Sequence, residues 1–317
     1  MILITGIAGF IGSHLAENLD YEIIGIDNFN DYYDPSIKRD NVREILSKKK
    51  NVIIEEGDIR DKNFLNKIFD KYKIEIVVHL AAMAGVRPSL KKPELYEDVN
   101  IKGTMNLLEI MAKKNIKKYI FASSSSVYGN IKEVPFSEDM KIDTPISFYA
   151  ATKKACEEIN HVYHSIYDID TINLRFFTVY GPRQRPDLAI HKFTKLIYEN
   201  KPIEVYGDGK QKRDFTYIDD ILDGIKKSIQ YLNNNKKVFL TLNLGESRTV
   251  ELSYVISLIE KNLSKKADII YKDPEPGDLP ITFADISKAK KIIGYSPQKE
   301  IEDGIKEFIN WFIVKNK

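Results

Sequence analysis

Cysteine is almost absent. The single one, Cys156, rules out an internal disulfide framework and fits a reducing compartment. It falls within a helical pattern, where a small core residue is the better reading than a nucleophile. An excess of one charge is also missing: 48 basic residues stand against 46 acidic ones, for a net +2. That gives no electrostatic case for nucleic acid or an anionic membrane. The basic runs, Lys48–Lys50 and Lys236–Lys237, are short enough to be solvated loop charge. Long hydrophobic runs are missing too. The longest, Ile74–Val86, is interrupted by Glu75 and His79 and is too short for a bilayer span. Five histidines make no metal site: His161 and His164 share a helix face, but no third ligand accompanies them. His14 and His79 read as structural. No internal repeat or low-complexity tract occurs. A first strand directly at Met1 leaves no signal peptide, so a cytoplasmic protein is expected.

What is present is a soluble globular composition, 43% hydrophobic and 30% charged, at a length of 317 residues that suggests about two domains. The chain opens MILITGIAGFIGSHL. Met1–Ile4 is one buried strand, and a helical pattern runs from Phe10 to about Leu19. Between and within them Gly6, Gly9 and Gly12 suit a tight turn, a close approach of backbone to phosphate, and close helix–strand packing. The helix N-terminus then offers free N–H groups and partial positive charge to a pyrophosphate. The next apolar run, Glu22–Ile26, ends in Asp27. A carboxylate there suits a ribose hydroxyl and repels the extra phosphate of NADP, so the cofactor is read as NAD.

The first half alternates. Strands are expected at Asn51–Glu55, Ile74–Leu80, Tyr119–Ala122 and Thr171–Leu174. Helices are expected up to about Lys48, at Asn63–Lys73, at about Leu95–Lys114 and at Ile146–Ile166. This pattern predicts an α/β fold: a doubly wound parallel sheet of the Rossmann type. Ligand chemistry then sits at the carboxyl ends of the strands, where Asp27, Asp58, Ala81 and Ser123 fall. Beyond about Arg175 prolines punctuate shorter elements. We read residues 1–175 as the dinucleotide-binding domain. Residues 176–317 read as a smaller substrate-binding α/β lobe, some segments of which return to the first domain. Helices are expected there at Thr216–Leu232, Val250–Leu263, Ser287–Ile293 and Ile301–Phe312.

Tyr149 and Lys153 are four apart at a helix start and share a face. A phenol with an unperturbed pKa of about 10 needs roughly a three-unit shift to act as a base near neutrality. A lysine ammonium and an oxidised nicotinamide supply it as unlike charge. With the serine-rich strand end Ser123–Ser126 this makes a proton-relay candidate. Over its full length the chain resembles the extended short-chain dehydrogenases/reductases. The matching pieces are Gly6-x-x-Gly9-x-x-Gly12, Asp58-Ile59, His79–Ala82, Asn100, SSSSVYG at Ser123–Gly129, and Tyr149-x-x-x-Lys153. Within that group it is most similar to the UDP-glucuronate 4-epimerases, by DNFNDYYDPSIKR at Asp27–Arg39, MAGVRPS at Met83–Ser89, and FFTVYGPRQRPDLA at Phe176–Ala189. GDGKQKRDFTYIDD at Gly207–Asp220 and PEPGDLPITFAD at Pro274–Asp285 extend the match.

The resemblance implies an internal redox cycle: Tyr149 takes the proton of the sugar 4-hydroxyl while hydride moves to NAD, then both return on the other face. Ser124 bonds the reacting oxygen, and Lys153 holds the cofactor ribose and acidifies Tyr149. Cofactor contacts carry over to Gly6, Gly9, Phe10, Ile11, Gly12, Asp27, Asn28, Asp58, Ile59, Leu80, Ala81, Ala82, Asn100, Tyr149 and Lys153. Related dehydratases carry an Asp-Glu pair before Val-Tyr-Gly, and related decarboxylases carry a Glu there. This chain has Ser125 and Ser126, which argues for simple epimerisation. An oxidised uronate is a β-keto acid, so its carboxylate must be clamped; Ser125, Ser126, Thr178 and Arg185 are the candidates, Arg185 as a fork. Arg87 is a further cation, for the nucleotide or for the protein. Lys192 and Arg213 suit the pyrophosphate, Asp278 the uridine ribose, and Phe193 or Tyr206 the uracil face. Where relatives often carry Trp-Gly, this chain has Arg183-Gln184. Alternative readings are an epimerase of UDP-glucose or UDP-N-acetylglucosamine, and a non-catalytic NAD-sensing protein. A homodimer, through the helices near Leu95–Lys114 and Ile146–Ile166, is expected from the family.

Overall fold

A computed structural model describes residues 1–273 and 279–316. Its chain divides into two interleaved compact units: residues 1–131, 138–176 and 222–242, and residues 132–137, 177–221 and 243–317. Residues 132–137 belong to the second unit and residues 222–242 to the first, so each unit is built from separate stretches of chain.

In the first unit, three short strands are buried end to end because both sheet faces are covered, and a fourth lies at the edge. These are β1 (Ile2–Thr5), β2 (Ile23–Asp27), β3 (Val52–Glu56, more exposed at the edge) and β4 (Ile76–His79). β5 (Lys118–Ser124) and β6 (Asp170–Phe176) follow, and all six pair in parallel. The crossing helices are α1 (Phe10–Asn18), α2 (Pro35–Lys48), α3 (Lys62–Lys71), α4 (Val86–Lys91), α5 (Pro93–Tyr96), α6 (Gly103–Lys113) and α7 (Phe148–Tyr167). Local chemistry sets their starts. Asp61 accepts from the Asn63 and Phe64 N–H groups, and the Ser147 hydroxyl accepts from the Ala150 N–H. Asp34 caps α2 with Pro35 next to it, which starts that helix at Pro35. The helix expected over Leu95–Lys114 is interrupted: Glu97–Lys102 is a π-helical segment between α5 and α6.

The second unit holds β7 (Thr178–Tyr180), α8 (Ala189–Tyr198), β8 (Ile203–Tyr206), β9 (Lys212–Arg213) and β10 (Phe215–Tyr217). α9 (Ile218–Asn234) begins there, and from Leu222 on its residues belong to the first unit. β11 (Phe239–Leu244) then adds a seventh strand beside β6, giving the order β11-β6-β5-β4-β1-β2-β3. β12 (Val250–Glu251), α10 (Leu252–Leu263), β13 (Ile269–Lys272), α11 (Ser287–Ile293) and α12 (Ile301–Lys315) complete the second unit. Periodicity missed its strands because most are two to four residues long, below what alternation can mark. Buried Asp214 organises this unit, accepting from the Glu246, Ser247 and Ala284 N–H groups and the Thr216 hydroxyl.

Candidate active site

The turn after β1 is where backbone meets backbone. Gly6 has φ of +73°, and a Cβ there would lie 2.8 Å from the Ala81 nitrogen at the end of β4. A Cβ on Gly12 would overlap the Gly6 carbonyl oxygen. A side chain at Gly12 would push α1 off the turn after β1, and one at Gly6 would push that turn off the segment after β4. Phe10 and Ile11 open α1, whose first-turn N–H groups have no side-chain cap at Gly9. Asp27 pins this turn from the next strand: one carboxylate oxygen accepts from the Ala8 N–H at 3.1 Å, the other from Phe29 at 2.9 Å. Burial pushes its carboxyl up, against the pull of those two bonds. Each oxygen keeps a lone pair for a ligand hydroxyl.

Asn28 and Asp58 come together, Asn28 donating to Asp58 at 2.8 Å. Burial pushes the Asp58 carboxyl up, but Arg60 and Asn28 outweigh it and hold it at about 2. Arg60 also reaches Asp98 at 2.8 Å. That arginine escaped the sequence reading, although it stands two residues after Asp58 as a turn partner. Ile59 fills the space over Gly103.

His79 sits in a chain whose protons can be assigned. The Thr104 hydroxyl donates to the Asn100 carbonyl at 2.6 Å, so it accepts from His79 Nε2 at 3.1 Å. His79 Nδ1 then accepts from Thr5 Oγ1 at 2.6 Å, which itself accepts from the Ala81 N–H. Burial and the Lys153 charge push its pKa down to about 3, so the ring is neutral. The Leu80 N–H bonds the Thr5 carbonyl. Asn100, expected at the cofactor, spends its amide on the Met83 backbone and on Thr152. It thereby fixes the loop that carries Ala82. The π-helical segment provides that side chain at that place.

Ser147 starts α7, so Tyr149 and Lys153 lie on its first two turns. Lys153 is 3% exposed; its ammonium donates to the Ala122 carbonyl at 2.7 Å. Its Nζ lies 4.8 Å from the Phe121 ring centre and 6.0 Å from that of Tyr149. Burial pushes its pKa down to about 8. The Ser124 hydroxyl donates to Ser126 Oγ at 3.1 Å and accepts from its N–H. Ser125 and Ser126 form the following 3-10 turn, both half-buried. The Tyr149 ring stands edge-on to Tyr96, centres 6.3 Å apart. Tyr96 and Tyr32 both donate to the Ala84 carbonyl, at 2.6 and 2.8 Å. Neither tyrosine was anticipated; the aromatic crowding of Asp27–Arg39 was the available signal. Arg87 is exposed on α4.

In the second unit, Arg185 forks onto Asp187 at 2.9 and 2.7 Å. The turn before it is fixed by Gln184, which donates to the Val179 carbonyl and accepts from His191. Arg183 there has φ of +62°. Thr178 opens β7, its N–H on the Asp214 carbonyl. Lys192 is exposed on α8, whereas Phe193 is buried core, which favours half-buried Tyr206 as the ring for a base. Arg213 lies on β9, bonded to the Lys212 carbonyl. Asp278 lies outside the described residues. The two helix histidines meet Phe239, and His164 also meets the Ile169 carbonyl.

The family described as GDP-mannose 4,6 dehydratase matches residues 3–308. The chain belongs to this family of extended short-chain dehydrogenases/reductases. Similar relatives of this extended short-chain dehydrogenase/reductase include a UDP-glucuronate 4-epimerase of Thermodesulfobacterium geofontis. It is 45% identical over 313 residues, 98% of this chain and 95% of the relative. A solved UDP-glucuronic acid 4-epimerase from Bacillus cereus, in complex with UDP-glucuronic acid and NAD, has TM-score 0.92 at 38% identity, covering 99% of both chains. The UDP-glucose 4-epimerase of Thermotoga maritima with UDP-glucose gives 0.89 at 30%, covering 100% and 99%.

Lys153 makes this extended short-chain dehydrogenase/reductase pH-dependent in a definite sense. Its folded value, about 8, lies below the unfolded 10.5. Between them the unfolded chain binds more protons, so stability rises with pH across that window. Urea unfolding of wild type and Lys153→Met at pH 7.5 and 9.5 is expected to show the gap shifting toward wild type, on the order of 1–3 kcal/mol. An unchanged gap would mean a solvated amine.

Proposed function

We propose that the chain is an NAD-dependent UDP-glucuronate 4-epimerase, producing UDP-galacturonate. The observation that carries this is Tyr149 and Lys153 on the first turns of α7, with Lys153 bonded to the Ala122 carbonyl two residues before Ser124, in a chain 45% identical to an enzyme of that name. The residues fit the cofactor. Gly6 and Gly12 leave a cradle that any Cβ would fill, α1 offers uncapped N–H groups, and Asp27 keeps acceptor capacity for a ribose hydroxyl. When bound, NAD takes the C4 hydride and returns it to the other face of the 4-keto sugar.

The chain's own residues handle protons and position. Tyr149 accepts the 4-hydroxyl proton at its phenol oxygen and gives it back. Lys153 favours the phenolate by its charge. Ser124 gives its one hydroxyl proton to Ser126 and would have to turn it to the reacting oxygen when substrate binds. Ser125 and Ser126 bring hydroxyls but no carboxyl, so neither elimination nor decarboxylation finds its acid. Arg185 holds a carboxylate already, that of Asp187, in the forked geometry a uronate demands. We further propose that two copies associate through α6 and α7, whose Met105, Val162, Ile166 and Tyr167 are exposed. The cytoplasm is the compartment proposed.

The direct test is NMR of UDP-glucuronate with purified protein and no added NAD. Appearance of the galacturonate epimer is expected; conversion of UDP-glucose or UDP-N-acetylglucosamine alone would overturn the uronate reading. Arg185→Ala is expected to raise KM for UDP-glucuronate roughly 10–100-fold and to release decarboxylated pentose product. Unchanged affinity and product purity would remove Arg185 from the carboxylate. Sedimentation should give twice the chain mass for wild type and the single mass for Ile166→Glu; a monomeric wild type rejects the pairing.

A further inference from the structure

One buried ion pair beside Tyr149 and Lys153 has no part in the chemistry above. Glu157 is one helical turn beyond Lys153 on α7, and Arg175 ends β6; they are 4% and 3% exposed. Arg175 forks onto Glu157, Nε to Oε1 at 2.9 Å and Nη2 to Oε2 at 2.8 Å. The Ser123 hydroxyl also donates to Glu157, at 2.6 Å. The remaining Arg175 nitrogen reaches the Tyr128 hydroxyl at 3.1 Å. Ser123 and Arg175 are register partners across β5 and β6. The pair therefore joins four pieces: the end of β5, the 3-10 turn after it, β6 and α7.

Burying such a pair is poor economy for stability alone, since apolar residues of similar volume commonly do as well or better. Its placement suggests another use. Glu157 is at the i+4 position from Lys153, the spacing at which a carboxylate and an ammonium attract on a helix. Lys153 instead points its amine at the Ala122 carbonyl. The charged or titratable groups that face the amine are Tyr149, Cys156 and Glu157 on α7 and His79 on β4. His79 is neutral and Cys156 is a buried thiol, so Glu157 is the competing anion. Arg175 and Ser123 engage both its oxygens.

We propose that Glu157 and Arg175 are positioning residues for the proton relay: Arg175 holds the Glu157 carboxylate away from Lys153 and fastens the Ala122–Ser124 strand end onto α7. The amine stays on Ala122, next to Tyr149, and Ser124 stays in register. This rests on the epimerase reading.

Arg175→Lys keeps the charge and loses the fork, freeing one Glu157 oxygen for Lys153. It is expected to lower kcat roughly 10–100-fold, with KM for UDP-glucuronate within about threefold. The acid limb of the pH profile moves to higher pH. Ionisation of Tyr149 moves with it, read as 295-nm absorbance against Tyr149→Phe in the same background. Should that variant not fold, Glu157→Gln with Arg175→Met removes both charges. It is expected to fold, to lose kcat roughly tenfold, and to leave the Tyr149 titration at its wild-type position. Wild-type kcat in either variant would make the pair mere packing and overturn the proposal. A wild type that does not epimerise UDP-glucuronate, with the Tyr149 shift still present in Arg175→Lys, would instead reject the function and leave the positioning intact.

Discussion

A cation held in a dry place beside a phenol is the constraint that the first unit is built around. Lys153 donates to a backbone carbonyl and lies against aromatic faces, while the Glu157 carboxylate that faces it is held by Arg175. A buried charge without a counter-ion is costly, and here burial pulls its pKa to about 8. The surroundings follow from that. His79 must stay neutral and is tied up by two threonines. Glu157 could neutralise the amine from one turn away, yet it is engaged by Arg175 and Ser123.

The strand ends are locked to one another by side chains rather than by the ladder alone. Thr5, His79 and Thr104 connect β1, β4 and α6. Asn100 joins the loop after β4 to α7 through Thr152. Tyr32 and Tyr96 converge on one carbonyl, that of Ala84, and Tyr96 backs the Tyr149 ring. A helix regular from 93 to 113 would rotate Asn100 away from these partners, because each inserted residue turns the helix by about 100°. The π-helical segment is thus the local distortion that the network requires.

In the second unit the same logic runs with anions. Asp214 is buried and pushed up to about 6, yet four hydrogen bonds converge on it and fix the segments around Gly245 and Ala284. Arg185 keeps its fork occupied by Asp187.

The sequence by itself determined the alternation of strands and helices, the glycine turn, Asp27 at a strand tip and the Tyr149–Lys153 face. Each is a local matter, set by periods of two or 3.6 residues and by missing Cβ atoms. Only the tertiary structure decided the return of residues 222–242 to the first unit, the break in the helix at Glu97–Lys102, and the partners of Asp58, Tyr149 and Glu157. Apart from Arg60 on Asp58, those contacts join residues well separated in the chain. Their energies depend on burial and on competing charges, which no spacing records until the chain has folded.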